Sequence, residues 1–124
     1  MRVVHEPADG DQRVLATDIE VAESTLAQAR GLMFRRSVPE DFALVIDLGD
    51  GGLVTSGPAR QVVHMLFVRF PIDIVWLVDD EVSKTARLSP WSGIGLCRAD
   101  RIVEFPAGTT EGVAVGDLVR MIEE

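Results

Sequence analysis

The chain has 124 residues, 47% hydrophobic and 26% charged, which is enough apolar material for one compact core. With 11 Gly and 6 Pro it is neither collagen-like, low-complexity nor disordered. Twenty acidic residues against 12 basic ones leave a formal net charge of -8, which disfavours a phosphate backbone as partner, so nucleic acid is not expected to bind.

Among the basic residues only Lys84 is a lysine, and the chain contains neither Asn nor Tyr. A carboxylate-rich, lysine-poor surface stays hydrated in high salt and points to a halophilic cytoplasm, with an acidic protein from a GC-rich genome as the alternative. The single cysteine, Cys97, closes no internal disulfide, and no CxxC or His/Cys cluster suggests zinc. Its expected role is that of a small core residue. The stretch Met1–Asp11 carries His5, Glu6, Asp9 and Asp11 and no apolar signal-peptide region, and no apolar run approaches the ~20 residues of a membrane span. A soluble, cytoplasmic chain is expected, forming one domain over 1–124 with a flexible stretch at 1–11, no membrane contact and no stated oligomeric order.

Loose alternation of apolar and polar residues from Arg13 to Val21 predicts a strand or short hairpin. Glu23–Arg30 then predicts a helix of about two turns, with Ser24 or Thr25 as N-cap and Gly31 as its stop. Phe42–Asp47 and Ile74–Val78 predict buried strands, and Arg60–Phe70 is rich in β-branched and aromatic residues. Asp79-Asp80 predicts a hairpin turn into a strand at Glu81–Leu88. Ser89–Arg98 reads as irregular, Arg101–Phe105 as a strand, Pro106–Gly108 as a turn and Leu118–Ile122 as a final strand. The expected class is α+β, mainly antiparallel β, with five to seven strands in a partly closed barrel-like sheet and one short helix near residues 23–30.

Three segments carry a resemblance. They are Ala22–Arg35 with its Gly31-Leu-Met-Phe-Arg35 end; His64-Met65 followed by Pro71-Ile-Asp-Ile-Val-Trp76; and Ile102-Val-Glu-Phe-Pro-Ala-Gly108 with Gly116-Asp117. In this order and separation they resemble the family called domain of unknown function 192, over roughly residues 14–122. The resemblance implies a compact, mostly antiparallel β fold with a short helix before the Gly-Leu-Met segment, and no established activity. One departure concerns a possible site. Family members have an aromatic residue, Met, a basic residue, Asn and Thr ahead of the Pro-Leu-Asp piece, whereas this chain reads His64-Met-Leu-Phe-Val-Arg-Phe-Pro71. A site built there would be rebuilt with His64 and Arg69.

Four polar residues bracket apolar segments at the family-like places and are the candidate ligand-binding residues: Arg35, His64, Asp73 and Glu104. Arg35 can bind a carboxylate or phosphate through paired hydrogen bonds, or else bridge to Asp73 or Glu104 as scaffold. Asp73 and Glu104 can act as partly buried carboxyl groups of raised pKa, or cap loop N–H groups. His64 on an apolar strand can serve as acid, base or ligand, or simply line the interior. Met33, Phe34, Met65 and Phe67 read as core. Gly49, Gly51 and Gly52 lack the Gly-Lys-Thr partner of a phosphate loop, and Ser56, Ser83, Ser89 and Ser92 lack a nucleophile elbow. No catalytic residue, metal or cofactor is assigned. The expected function is non-catalytic binding of a small polar or anionic ligand, with the four residues converging at one end of the barrel. A structural or protein-interaction module presenting a sheet edge or the Trp91 loop is the alternative, and a hydrolase-like enzyme ranks last.

Overall fold

A computed structural model describes residues 1–48 and 59–123. Glycines 49, 51 and 52 and Ser56 lie outside them. Among the described residues the fold has ten strands and one helix: β1 (Arg2–Glu6), β2 (Arg13–Ala16), β3 (Asp18–Ala22), α1 (Thr25–Arg30), β4 (Phe42–Asp47), β5 (Ala59–His64), β6 (Ile72–Val78), β7 (Glu81–Leu88), β8 (Ile94–Ala99), β9 (Arg101–Pro106) and β10 (Leu118–Ile122). Eight strands form one sheet in the order β2-β1-β10-β7-β6-β9-β4-β3, and β5 with β8 forms a separate two-stranded ribbon. All pairings are antiparallel except β3 with β4, whose crossover contains α1.

The near-continuous apolar runs of the central strands explain this arrangement. β4 and β6 are buried on both faces, so each strand feeds two cores. Leu44, Ile46, Ile72, Ile74, Trp76 and Ile102 face one core, which is closed by Leu32, Met65, Val68 and the inner side of the ribbon. Ala43, Val45, Val75, Leu77, Val103 and Phe105 face the other, where Val3, Leu15, Ala16 and Val119 close over them as the far end of the sheet coils round.

Local chemistry fixes the ends of these elements. The Ser24 hydroxyl accepts a hydrogen bond from the Ala27 N–H at 3.0 Å, and Gly31, at φ +50°, stops α1. Asp79 and Asp80 both adopt positive φ, 50° and 67°, the geometry of a tight hairpin turn.

The mostly antiparallel sheet and the short helix agree with the sequence reading, but barrel closure does not. The sheet ends in two edges, β2 and β3, and among the described residues no ladder joins them. The chain steps from one edge to the other through Thr17 alone, whose N–H donates to the Asp41 carbonyl at 2.9 Å. Six helical residues also make α+β too generous a label. Two strands were not foreseen. β1 lies within the stretch expected to be flexible, yet Val3, Val4 and His5 are buried because β10 pairs along all five of its residues. β8 falls in the segment read as irregular because Gly93 and Gly95 suggest a loop. In the structure a side chain at Gly95 would meet Trp76, with a Cβ only 2.6 Å from the ring atom Cη2, so the glycine is what lets the ribbon lie on the core.

Gly95→Ala is therefore expected to cost about 1–3 kcal/mol through overpacking against a rigid indole. Urea unfolding measures it, and an unchanged midpoint would show that the ribbon is free to lift off Trp76.

Candidate functional site

The sheet register separates the two carboxyl groups that the sequence placed together. β6 and β9 run antiparallel with Ile74 opposite Glu104 and Asp73 opposite Phe105. Side chains on directly opposed residues share a face, so Glu104 lies on the Ile74 side and Asp73 on the Phe105 side. The expected convergence of four residues is thereby corrected.

Asp73 is 1% exposed and saturated with donors: Arg87 Nε at 2.8 Å, and the Gly108 N–H at 2.9 Å, Thr110 N–H at 3.0 Å and Thr110 hydroxyl at 2.9 Å. Burial raises its pKa, but the Arg87 bond and the bonds from Thr110 and Gly108 together outweigh that and hold the carboxyl below its ordinary value. Asp73 thus organises the turn after β9 and is a scaffold residue.

Glu104 is the opposite case. It is 4% exposed, and among the described residues no group donates a hydrogen bond to its carboxylate. The α1 stop lets it sit there. A Cβ on Gly31 would stand 3.3 and 3.5 Å from the two carboxylate oxygens, so the glycine both ends the helix and leaves room for the acid. Burial pushes its pKa up to about 7, the nearby Arg35 charge pulling it back only in part.

Glu104 opens onto a cleft of about 370 Å³ between α1 and β5. Ile46, Ile102 and Val68 give it apolar walls, while Gln28, Gln61 and His64 contribute polar groups. The Gln28 amide nitrogen is already used, donating to the carbonyls of Ala22 at 3.1 Å and Asp47 at 3.2 Å, and so pins the helix to β3 and β4. His64 is exposed at the end of β5 and its Nδ1 accepts from the Leu66 N–H at 3.2 Å. Of the four predicted residues, Glu104 and His64 share this cleft. Arg35 does not enter it. Its guanidinium is ion-paired with Glu20 and lies 5.5 Å from the Phe42 ring centroid, so it bridges the loop to β3 and not to Asp73.

A second concavity, about 1040 Å³, lies on the other side of α1 and shares Arg30 and Gly31, but no buried acid opens into it. Elsewhere His5 and Asp117 form a buried pair, Nε2 to Oδ2 at 2.8 Å, with Arg13 Nε donating to His5 Nδ1 at 3.2 Å. The Asp117 carboxyl is held below its ordinary value chiefly by the His5 bond. This pair ties β1 to the start of β10. Among the described residues no three His, Cys, Asp or Glu gather as metal ligands, and no helix is long and apolar enough to cross a membrane.

Sequence reasoning missed Gln28 and Gln61, for which only an amide in an amphipathic segment was a signal. It also assigned Phe34 and Phe67 to the core, whereas they are 54% and 45% exposed. Met65, by contrast, is fully buried as expected.

The model of the family DUF192, described as an uncharacterized ACR, matches residues 5–121. The chain belongs to this family. No curated protein matches it. Among solved structures, a proposed transcription regulator from Sinorhizobium meliloti 1021 is 24% identical with a TM-score of 0.80, covering 96% of this chain and 91% of the other. A protein of unknown function from Novosphingobium aromaticivorans is 22% identical with a TM-score of 0.78, covering 97% and 84%. At these identities both are similar to this DUF192 chain in fold.

Two stability measurements follow from the contrast between the acids. Asp73→Ala strands buried donors and is expected to lose about 2–5 kcal/mol by urea unfolding, whereas a loss below ~1 kcal/mol would mean the turn is held by other bonds. For Glu104 the folded-state pKa of about 7 exceeds its ordinary 4.5, so the unfolded chain ionises first. Stability should fall as pH rises from about 4.5 to about 7 and level off above. Glu104→Gln should remove this slope and gain up to about 3 kcal/mol at pH 8, the gap closing toward pH 4.5. A variant less stable than the parent at pH 8 contradicts it.

Proposed function

We propose that this DUF192 protein binds a small polar ligand in the cleft between α1 and β5, and that Glu104 recognises a hydrogen-bond donor or cationic group on that ligand. The observation that carries the reading is a carboxyl group 4% exposed, without a donor among the described residues, at the wall of a cleft of about 370 Å³. A largely buried carboxylate that no protein group among the described residues donates to, and that opens onto a cavity of ligand size, supports an external partner. Keeping it ionised costs stability, because burial raises its pKa from 4.5 to about 7, and such a cost is a common signature of a functional group. Apolar walls with few polar groups suit orientation of one small molecule. Of the two ligand types expected from the sequence, polar and anionic, the acid favours the first, since Arg35, the cation meant for an anion, is engaged by Glu20.

Binding without chemistry is the preferred form of this reading. Glu104 and His64 are of acid–base type, but no serine, threonine or cysteine side chain of the described residues joins them in the cleft wall as a nucleophile.

The test is a thermal-shift screen with amines, guanidines, polyols and organic acids at pH 6 and pH 8, since a ligand that binds only the native state raises the melting temperature. A donor-bearing compound should give a shift that disappears in Glu104→Gln. A cationic one should bind better at pH 8, where Glu104 is ionised. Shifts produced only by organic acids, or retained in full by Glu104→Gln, would reject the reading.

A further inference from the structure

The charge of this chain is distributed in a way its net value hides. Not one of its 20 acidic residues falls within residues 30–39, 59–70 or 88–99, whereas six of the 12 basic ones do: Arg30, Arg35, Arg36, Arg60, Arg69 and Arg98. The fold brings these three segments together. The Phe34 N–H donates to the Phe67 carbonyl at 2.9 Å, the Trp91 N–H to the Met65 carbonyl at 3.0 Å and the Met65 N–H to the Gly93 carbonyl at 2.9 Å, while β5 pairs with β8 through all six residues of each strand.

The assembled surface is apolar in the middle and cationic at its margins. Phe34, Phe67 and Trp91 are 54%, 45% and 53% exposed and form a row, Phe34 stacked on Phe67 with ring centroids 5.1 Å apart and Phe67 meeting Trp91 edge-on at 5.4 Å. All three hold left-handed backbone, φ 68°, 62° and 68°. Such geometry is disfavoured for aromatic residues and persists where surrounding structure enforces it, commonly at binding sites. Next to this row runs the outer side of the ribbon, where Val62 faces Leu96 and Ile94 faces His64 in register. Val62, Ile94 and Leu96 are 58%, 69% and 44% exposed. Arg60 and Arg98 stand opposite each other at the far end, about 13 Å from His64 along the strand. Arg30 lies 5.9 Å from the Phe34 ring centroid, and Arg36 and Arg69 are each two residues from a ring of the row.

Elsewhere the arginines are engaged. Arg87, Arg101 and Arg120 pair with carboxylates and Arg13 with His5, whereas Arg30, Arg36, Arg60, Arg69 and Arg98 have no acidic partner among the described residues. An apolar, aromatic centre rimmed by guanidinium groups is the composition of a protein interface, in which Trp, Phe and Arg are enriched.

We infer that the face formed by the Phe34–Phe67–Trp91 row and the outer side of the β5–β8 ribbon docks an acidic protein segment carrying apolar side chains. Its carboxylates would take paired hydrogen bonds from the free guanidinium groups, and its apolar side chains would cover the ribbon and rings. The exposed aliphatic side chains favour a polypeptide over nucleic acid, and Phe67, with a ring neighbour on each side, offers little free surface for a base. Arginine at both ends of a flat apolar strip suits an extended segment more than the tip-down insertion expected at a membrane. This proposal rests on observations other than the Glu104 carboxylate, although Arg30, Val62 and His64 border both the face and the cleft.

The experiment uses the full chain and a synthetic labelled peptide of about 12 residues alternating Glu with Leu and Phe, beside versions with Gln or Lys in place of Glu. Trp91 is an intrinsic reporter, because Trp76, the other tryptophan, is fully buried. The Glu peptide should bind about tenfold or more tighter than the Gln peptide, weaken as salt rises, and lose about tenfold in affinity to each of R60E/R98E and R36E/R69E. These exposed side chains leave the core intact, and circular dichroism verifies the fold of each variant. Equal binding of Glu and Gln peptides, no binding, or charge reversals that change affinity less than about twofold would overturn the proposal. Tighter binding to single-stranded DNA or to phosphatidylserine vesicles than to the Glu peptide would overturn it too, in favour of that partner.

Discussion

Everything in this molecule depends on strands β4, β6 and β9 being buried on both faces. A strand exposed on one side tolerates a polar residue at every second position; these strands tolerate almost none, and the few polar groups they carry must be dealt with individually. Asp73 and Glu104 are those groups, one on each face. The protein resolves them in opposite ways, surrounding Asp73 with four donors and leaving Glu104 with none among the described residues. That asymmetry distinguishes a scaffold carboxylate from a candidate recognition group more sharply than either residue's sequence context does.

Gly31 links the two levels of organisation. It stops α1 at positive φ, and the same missing side chain admits the carboxylate of a strand more than seventy positions later. The Gly-Leu-Met segment that makes the family recognisable is thus both a helix boundary and one wall of the cleft. Leu32, fully buried, anchors the segment in the core, and Phe34 two residues later is already at the surface.

What the sequence disclosed and what it withheld follow from the range of the interactions involved. Ser24 and Gly31 bound the helix through contacts within one turn, and Asp79-Asp80 shapes its hairpin from within four residues, so both were readable. β1 was not, because the ladder that runs along all five of its residues is made with β10, more than 110 positions away, and its local pairing with β2 is broken by a bulge. β8 was hidden by Gly95, whose reason is an indole on another strand. Asp73 and Glu104 could be singled out as acids within apolar runs, but the face each occupies is set by the β6–β9 register, which no local pattern contains. Phe34, Phe67 and Trp91 were beyond reach for a related reason. Hydrophobicity predicts burial, whereas these three rings sit on left-handed backbone and are exposed.

The position of β10 between β1 and β7 carries a consequence for how the chain comes to be folded. Among the described residues, the strand ladders join β1 and β2 to the rest of the sheet only through β10, so during synthesis the first hairpin must wait until residues 118–122 have emerged. Until then Val3, Leu15 and Ala16 have no lid to form, and the Val45–Val75–Val103 side of the sheet stands open to water or to chaperones. Long-range closure of this kind slows folding. Of the described strands, the one furthest along the chain is the one that seals the second core.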